Sequence, residues 1–322
     1  MRVTFLGTAA DDPTPEPWCQ CATCTSARTL GGRDIRLRSA LLINDDLLID
    51  IGPDVPAAAA RLGIALASVQ AVLVTHHHGD HLSSDAFHGR DRRWGGRPLP
   101  PIDLYATAPA LAMLTRNDGN PLPLAPLRIA AHPIRRFEHL AIATGGDLEP
   151  DPRLPDGKGN LPPLPARRYE VWPLAANHLE MTGEPDRFEP LLFALRQTAG
   201  PEVTGRSASD ALLYATDTGP FRDDTWAALE QIRDGGIRFG ATVVDATFGL
   251  LPIERVVASR HLTMPQMLAH QGQLRDHGFL APGARQLAIH LGHQFNPPHE
   301  ELAALLAPHG VNPAYDGLVL TV

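Results

Sequence analysis

The feature that most constrains this sequence is a cluster of histidine and aspartate directly after a short apolar run. The run covers residues 71–74, and the cluster, THHHGDH, covers residues 75–81. Side chains project from the end of such a buried strand into the next loop, and a turn at Gly79 lets residues two and four apart converge. The predicted ligands are His76 and His78 for one metal ion, and Asp80 and His81 for a second.

The donor types in this cluster indicate hydrolytic metal chemistry. Imidazole and carboxylate together suit zinc, manganese or iron. Two such ions about 3.5–4 Å apart can activate a water molecule as a nucleophile near neutral pH. The alternative is a solvated polar loop rich in histidine, which three adjacent histidines directly after a strand disfavour. The side chain of His77 is expected to point away from its neighbours, so we leave it out of the site.

The overall charge restricts the class of partner. The 322 residues include 28 Lys and Arg against 36 Asp and Glu, a formal net charge of -8. Nucleic-acid-binding proteins usually carry a basic face, because phosphate neutralisation drives their affinity. No apolar run reaches the ~18 residues of a membrane span, and the first residues do not resemble a signal peptide. We therefore expect a cytoplasmic protein with a small-molecule partner, not a membrane or a long nucleic acid.

The apolar pattern predicts an α/β chain. Strands come early as hairpins, such as 40–43 and 47–51, and later alternate with helices, which suits layered sheets in one domain over residues 1–322. The segment 117–165 is the exception. Its second half, 144–165, holds 6 Pro and 4 Gly in 22 residues, which disfavours a helix or a central strand. We predict an irregular insertion there, with a linker between two domains as the alternative.

All three cysteines lie within six positions of one another, in a proline-rich stretch. Cys19, Cys21 and Cys24 form the pattern C-x-C-x-x-C, and three thiolates need one further ligand to complete a tetrahedral zinc site. An odd, tightly clustered set is a poor disulfide framework and a good metal site. The pattern thus favours an N-terminal zinc-binding loop, with three reduced thiols packed in a loop as the alternative.

The histidine cluster contains HxHxDH, which resembles the motif of the metallo-β-lactamase superfamily. The superfamily fold is an αββα sandwich that holds two metal ions at the edge between its sheets, with further ligands after later strands. The resemblance implies three such ligands in this chain. They are His178 for the first metal ion, Asp217 as the carboxylate shared by both ions, and His290 for the second.

The motif and the cysteines together resemble one branch of that superfamily, the cyclic ribose-phosphate phosphodiesterases of the carbon–phosphorus lyase (phosphonate degradation) pathway. The branch places the fourth zinc ligand three positions beyond the last catalytic-metal histidine, which corresponds to His293. It also has a histidine after a strand that ends in aspartate, near the leaving group or the phosphate. Here Asp245 ends the strand and His261 follows. The alternative for His261 is an ordinary histidine that flanks a helix.

The resemblance implies a metal-dependent hydrolase, most specifically a phosphodiesterase that acts on a small, cyclic phosphate ester through a metal-activated hydroxide. Its candidate catalytic residues are Asp80 and His261. Its cofactors would be two divalent ions at the active site, zinc or manganese with iron as a further option, and one structural zinc. The hypothesis is compatible with a homodimer.

Three alternatives stay open. They are a thioester or lactone hydrolase, an iron-dependent oxidoreductase of cofactor biosynthesis, and a non-catalytic metal-binding module. A second relative, the pyrroloquinoline quinone biosynthesis protein B, shares the cysteine-rich start but departs from HxHxDH, which this chain keeps whole. The loop after His81, with Arg92 and Arg93 as candidate phosphate-binding residues, departs from the phosphodiesterase pattern, which leaves the substrate open.

Overall fold

Two seven-stranded β-sheets face each other in the computed structural model, with helices on their outer sides. This arrangement confirms the predicted αββα sandwich. No helix among the described residues is long and apolar enough to cross a membrane. The structure describes residues 1–90, 99–116, 119–146, 163–178, 188–203, 211–256 and 260–322.

The first sheet is formed mainly by the N-terminal half of the chain. Its strands are β1 (Arg2–Gly7), β2 (Ala40–Ile43), β3 (Leu47–Ile49), β4 (Ala71–Leu73), β5 (Ile102–Ala106), β6 (Ile129–Pro133) and β14 (Val319–Thr321). The order in space is β14-β1-β2-β3-β4-β5-β6. Pairing is antiparallel from β14 to β3 and parallel from β3 to β6. Helices α2 (Val55–Leu62) and α3 (Ala108–Ala112) pack on its outer face.

The second sheet is formed by the C-terminal half. Its strands are β7 (Leu140–Gly146), β8 (Leu164–Ala175), β9 (Leu191–Ala199), β10 (Ala211–Ala215), β11 (Phe239–Asp245), β12 (Leu280–Ile289) and β13 (Val311–Pro313). They lie in the order β13-β12-β11-β10-β9-β8-β7, antiparallel from β7 to β10 and parallel from β10 to β13. Its outer face carries α4 (Asp223–Asp234), α5 (Met264–Asp276) and α6 (His299–Leu306).

Local sequence explains where these elements begin and end. All five residues of β10 are buried, since sheet and helices cover both of its faces, and the strand is accordingly a continuous apolar run. Helix α2 has proline in its first turn and ends at Gly63, whose φ of 66° suits a glycine. Helix α5 begins with a capping box between Thr263 and Gln266. Each fully buried leucine or phenylalanine adds roughly 1.5–3 kcal/mol of stability.

The irregular insertion predicted at 117–165 requires a correction. Strands β6 and β7 lie entirely inside it, each at the edge of a sheet, where proline and glycine are tolerated, and β8 begins at its end. Strand β8 also contains two prolines. Pro165 lies at the register shift opposite Thr144 and Gly146, and Pro173 lies beyond Val171, the last residue of β8 that pairs with β7. Residues 119–128 and 134–139 contain no strand, as predicted, and residues 117–118 and 147–162 fall outside the described residues.

The cysteine loop also differs from expectation. Residues Ala22–Leu30 form helix α1, which begins directly after Cys21. The Cys21 sulfur accepts a hydrogen bond from the backbone N–H of Cys24 at 3.4 Å and so caps the helix. The proline-rich composition before Cys19 concealed this short helix. Arg92 and Arg93 fall outside the described residues.

Candidate metal centre

The predicted ligands gather at one edge of the sandwich, because each follows the end of a strand. The HxHxDH segment follows β4, and His178 follows β8. Asp217 and His290 follow β10 and β12, which flank β11 in a parallel arrangement, so their carboxyl ends meet at the same edge. Two of these residues lie in left-handed backbone conformations: φ is 48° at Asp217 and 58° at His290. Such conformations cost about 1–3 kcal/mol for non-glycine residues and cluster at functional sites.

The first donor set consists of three imidazoles. Nδ1 of His78 lies 3.0 Å from Nε2 of His76 and 3.2 Å from Nε2 of His178. The three nitrogens lie within 4.8 Å of one another. Burial lowers the pKa of His76 well below its ordinary value and that of His178 to about 4. Both rings are therefore neutral at pH 7, which is the state that binds a metal ion.

The second donor set combines two imidazoles with two carboxylates. Nε2 of His81 lies 3.0 Å from Oδ2 of Asp80 and 2.9 Å from Oδ2 of Asp217. Nε2 of His290 lies 3.0 Å from that same oxygen of Asp217. Within the described part of the chain, neither buried nitrogen makes a hydrogen bond, although the carboxylates are so near. Donor atoms that converge without bonding to one another fit a shared cation.

The electrostatics of this set also suit a cation. Burial opposes ionisation of Asp217, but the neighbouring imidazoles of His290 and His81 hold its pKa well below the ordinary range. Burial likewise disfavours a charged imidazole, yet Asp217 beside it raises the pKa of His290 to about 10. The buried carboxylates of Asp80 and Asp217 therefore require positive charge close beside them. Protons or divalent ions can supply it, and divalent ions bind the deprotonated rings.

Asp217 lies between the two donor sets. Its Oδ2 faces His81 and His290, while its Oδ1 lies 3.8 Å from Nε2 of His178. One carboxylate can thus contact both sets, as expected of a shared ligand. The structure brings all seven predicted positions of this centre together, whereas His77 belongs to neither set among the described residues.

His261 lies beside both donor sets. Its ring centroid is 4.7 Å from that of His178 and 5.3 Å from that of His290. Nδ1 of His261 lies 2.9 Å from Oδ2 of Asp245, and Nε2 lies 4.0 Å from Oδ1 of Asp217. Asp245 therefore favours the proton on Nδ1 and leaves Nε2 facing the centre. The His261 side chain remains 12% exposed, so it borders the solvent side of the site.

Residues that the sequence reasoning did not assign to the site hold these ligands in place. The buried Asp50 accepts hydrogen bonds from the backbone N–H and the hydroxyl of Thr75, at 2.8 and 2.9 Å, and contacts Nδ1 of His81 at 2.8 Å. Asp245 accepts from the backbone N–H of Leu262, and the Thr247 hydroxyl lies 2.8 Å from Nδ1 of His290. Partners of this kind fix the orientation of a ligating imidazole. For Asp50, the sequence offers one signal of such a function, which is an aspartate directly after a short apolar run.

The cysteines form a separate cluster with His293. Sγ of Cys19 and Sγ of Cys21 lie 3.6 and 3.5 Å from Nδ1 of His293, and Cys24 completes a set within 4.8 Å. Burial opposes ionisation of Cys21, but hydrogen bonds from Cys24 and His293 lower its pKa to about 7. Burial raises the pKa of Cys24 to about 12. Three sulfurs and one imidazole nitrogen are a donor set that suits structural zinc.

The comparison with protein families agrees with this geometry. Residues 46–269 match the model of the beta-lactamase superfamily domain, a span that includes HxHxDH, Asp217 and His261. The chain belongs to the beta-lactamase superfamily. His290, His293 and the three cysteines lie outside the matched residues, so their assignment depends on geometry and resemblance.

The curated relatives that match this chain differ in the function that their names state. The chain is 25% identical to the coenzyme PQQ synthesis protein B of Azoarcus sp. (strain BH72), and the match covers the full length of both proteins. A stretch of 86 residues, 26% of the chain, is 40% identical to an octanoyltransferase of Porphyromonas gingivalis (strain ATCC BAA-308 / W83) and spans only 16% of that protein. Sequence likeness alone therefore leaves the reaction open.

Solved structures of this superfamily fold resemble the whole chain. A diphosphatase from the PhnP family is 22% identical with a TM-score of 0.63, over 99% of this chain and 97% of that one. The Zn(2+)-bound PqqB of Methylobacterium extorquens is 17% identical with a TM-score of 0.66, over 100% of both chains. At these identities the likeness shows the fold.

Proposed function

We propose that this beta-lactamase superfamily member is a metal-dependent hydrolase that cleaves a small phosphate ester, most specifically a cyclic phosphodiester. The observation that carries the proposal is the pair of donor sets joined by Asp217, with His261 beside them. His76, His78 and His178 would hold one ion; Asp80, His81 and His290 would hold the other. Two bound ions would supply a water-derived nucleophile and neutralise the charge of the phosphate.

The protein's own groups supply positioning and proton transfer. Asp50 and Thr247 hold the rings of His81 and His290 with their Nε2 atoms toward Asp217. His261 is placed to donate a proton to the departing oxygen through Nε2, because Asp245 contacts its other nitrogen and orients the ring toward the centre. We assign the cysteines and His293 to a structural zinc, which stabilises the loop beside the centre and takes no part in the reaction.

A second candidate is a role in cofactor synthesis, as an oxidoreductase with iron at the same centre. The full-length likeness to a coenzyme PQQ synthesis protein favours it. The complete HxHxDH motif and the His261–Asp245 pair favour hydrolysis, since they supply ligands for two ions and a proton donor. Oxygen consumption by the Fe(II)-loaded protein, with no turnover of esters, would establish the second candidate.

The experiment combines metal analysis with a substrate panel. We expect about three metal ions per chain after purification without added metal, and hydrolysis of bis(p-nitrophenyl) phosphate in preference to a lactone or a thioester. Asp217→Asn should lower turnover by about 100-fold or more and reduce the metal content. The exposed Asp223→Asn is the matched control and should resemble the wild type. Full metal content and full turnover in Asp217→Asn would show that the assignment is wrong.

A further inference from the structure

Arg260 lies directly before His261 at the exposed rim of the metal centre. Its Nη1 donates a hydrogen bond to Oδ1 of Asn177 at 3.0 Å, and Asn177 directly precedes His178. The rings of His178 and His261 are 4.7 Å apart. The guanidinium therefore links the two segments that carry these imidazoles, on the side of the centre that is open to solvent.

The backbone around Arg260 is under constraint. Its φ is 52°, a left-handed conformation that costs about 1–3 kcal/mol for a residue other than glycine. Gly219 packs against it, since a Cβ at Gly219 would lie 3.2 Å from Cβ of Arg260. The N–H of Gly219 also donates to the carbonyl of Asn177 at 2.8 Å. Three segments thus hold Arg260 at one place beside the centre.

The hydrogen bond to Asn177 positions the guanidinium without neutralising it. Nδ2 of Asn177 donates to the carbonyl of Pro220 at 2.7 Å, which fixes the amide with Oδ1 toward Arg260. No carboxylate among the described residues forms an ion pair with Arg260, whereas Arg222 pairs with Asp224 and Arg196 with Glu170. A guanidinium carries five N–H donors in a fork that matches phosphate oxygens, so donors remain for an anion.

We propose that Arg260 is a substrate-binding residue that donates hydrogen bonds to the phosphoryl oxygens of a phosphate ester at the metal centre, with Asn177 as its positioning residue. The inference rests on the proposed phosphoesterase function. It specifies how the site selects an anionic ester over a neutral one: the fixed positive charge binds the group that a lactone or a thioester lacks.

The test compares Arg260→Ala and Arg260→Lys with the control Arg222→Ala, another exposed arginine. In Arg260→Ala, kcat/KM for bis(p-nitrophenyl) phosphate should fall by about 10–100-fold, because a charge-assisted pair is lost. The rate with the neutral ester p-nitrophenyl acetate should change by less than about 3-fold. Arg260→Lys keeps the charge but loses the forked donors, so its kcat/KM for bis(p-nitrophenyl) phosphate should lie between those of the wild type and Arg260→Ala. Arg222→Ala should match the wild type.

Binding of inorganic phosphate to the metal-loaded protein separates this inference from the proposed function. We expect the phosphate Kd, measured by titration calorimetry, to rise about 10-fold or more in Arg260→Ala while the metal content stays unchanged. If the wild type shows no phosphodiesterase turnover but the phosphate Kd still rises in Arg260→Ala, the proposed function is refuted and Arg260 is supported as an anion-binding residue. An unchanged Kd, or a loss of metal ions in both Arg260 variants, would overturn the inference.

Discussion

At the scale of single residues, the carboxylates behind the histidines decide how the centre is held. Asp50 is fully buried, and its two oxygens engage Thr75 and Nδ1 of His81. These contacts orient the His81 ring so that Nε2 faces Asp80 and Asp217. A ligating imidazole without such a partner turns more freely and is a weaker donor.

Replacing the carboxylate by an amide tests this positioning. Asp50→Asn keeps the volume and the hydrogen bonds from Thr75 but removes the negative charge beside His81. We expect the affinity for the active-site ions to fall by about 10–100-fold, measured by competition with a chromogenic chelator. Asp45→Asn, in an exposed turn two residues before β3, is the control. Equal metal affinity in wild type and Asp50→Asn would show that the orientation of His81 does not depend on this carboxylate.

The sequence was a better guide to the candidate metal ligands than to the residues that hold those ligands in place. HxHxDH is readable because its donors are adjacent in the chain, and His178, Asp217 and His290 followed from the family order. Asp50 and Thr247 carry no motif. Their function depends on which strand ends meet at the sandwich edge, and that is a property of the assembled sheets. A carboxylate after an apolar strand is common in proteins, so the pattern alone could not single out Asp50.

At the scale of elements, the loop after β3 and the HxHxDH loop pack directly against each other. The N–H of Ile51 donates to the carbonyl of His81 at 2.8 Å, and the N–H of Ser83 donates to the carbonyl of Ile51 at 2.9 Å. Gly52 makes the approach possible, because a Cβ there would lie 1.8 Å from the backbone oxygen of Asp80. The register of these two loops sets the position of Asp80 and His81.

A methyl group at Gly52 should therefore displace the metal-binding loop. The clash is with backbone, so no change of side-chain rotamer relieves it, and we expect a loss of about 1–3 kcal/mol in the free energy of unfolding. Metal affinity should fall with it. Gly89→Ala is the matched control, since a Cβ there meets nothing within 4 Å. Urea denaturation and chelator competition measure the two effects, and an unperturbed Gly52→Ala would contradict this packing argument.

Strands in the interior of the sheets were easier to predict than the edge strands β6 and β7. The interior strand β10 is a continuous apolar run, and β11 is buried at six of its seven positions, because both faces are covered. Strand β7 has only two buried residues, Ile142 and Thr144; Ala141 and Ala143 are exposed, and the strand ends in two glycines. Helix α1 is short and has few apolar residues, and the cysteines beside it direct attention to metal binding. Edge elements have little burial to specify them, and the tertiary context determines their conformation.

At the scale of the whole molecule, the cysteine cluster connects the two ends of the chain. The contact between Cys19 and His293 joins residues separated by 274 positions, and the Thr23 hydroxyl donates to the carbonyl of Asn296 at 2.8 Å. Ala9 also forms a bridge to Leu291, next to the candidate ligand His290. A metal ion in this cluster would fasten the N-terminal segment to the loop that completes the centre.

Removing one thiolate should thus loosen this connection and leave the other donor sets in place. Cys19→Ser should release one metal ion per chain and lower the stability by about 3 kcal/mol or more, since a ligand at a hundred times its Kd contributes about that much. Mass spectrometry and the melting temperature measure the two effects, with the exposed Gln20→Ala between the ligands as the control. At temperatures below the lowered melting point, the variant should keep its active-site ions, because none of the seven residues of that centre is changed. A variant that lost all of its ions together would show that the two sites fold as one cooperative unit.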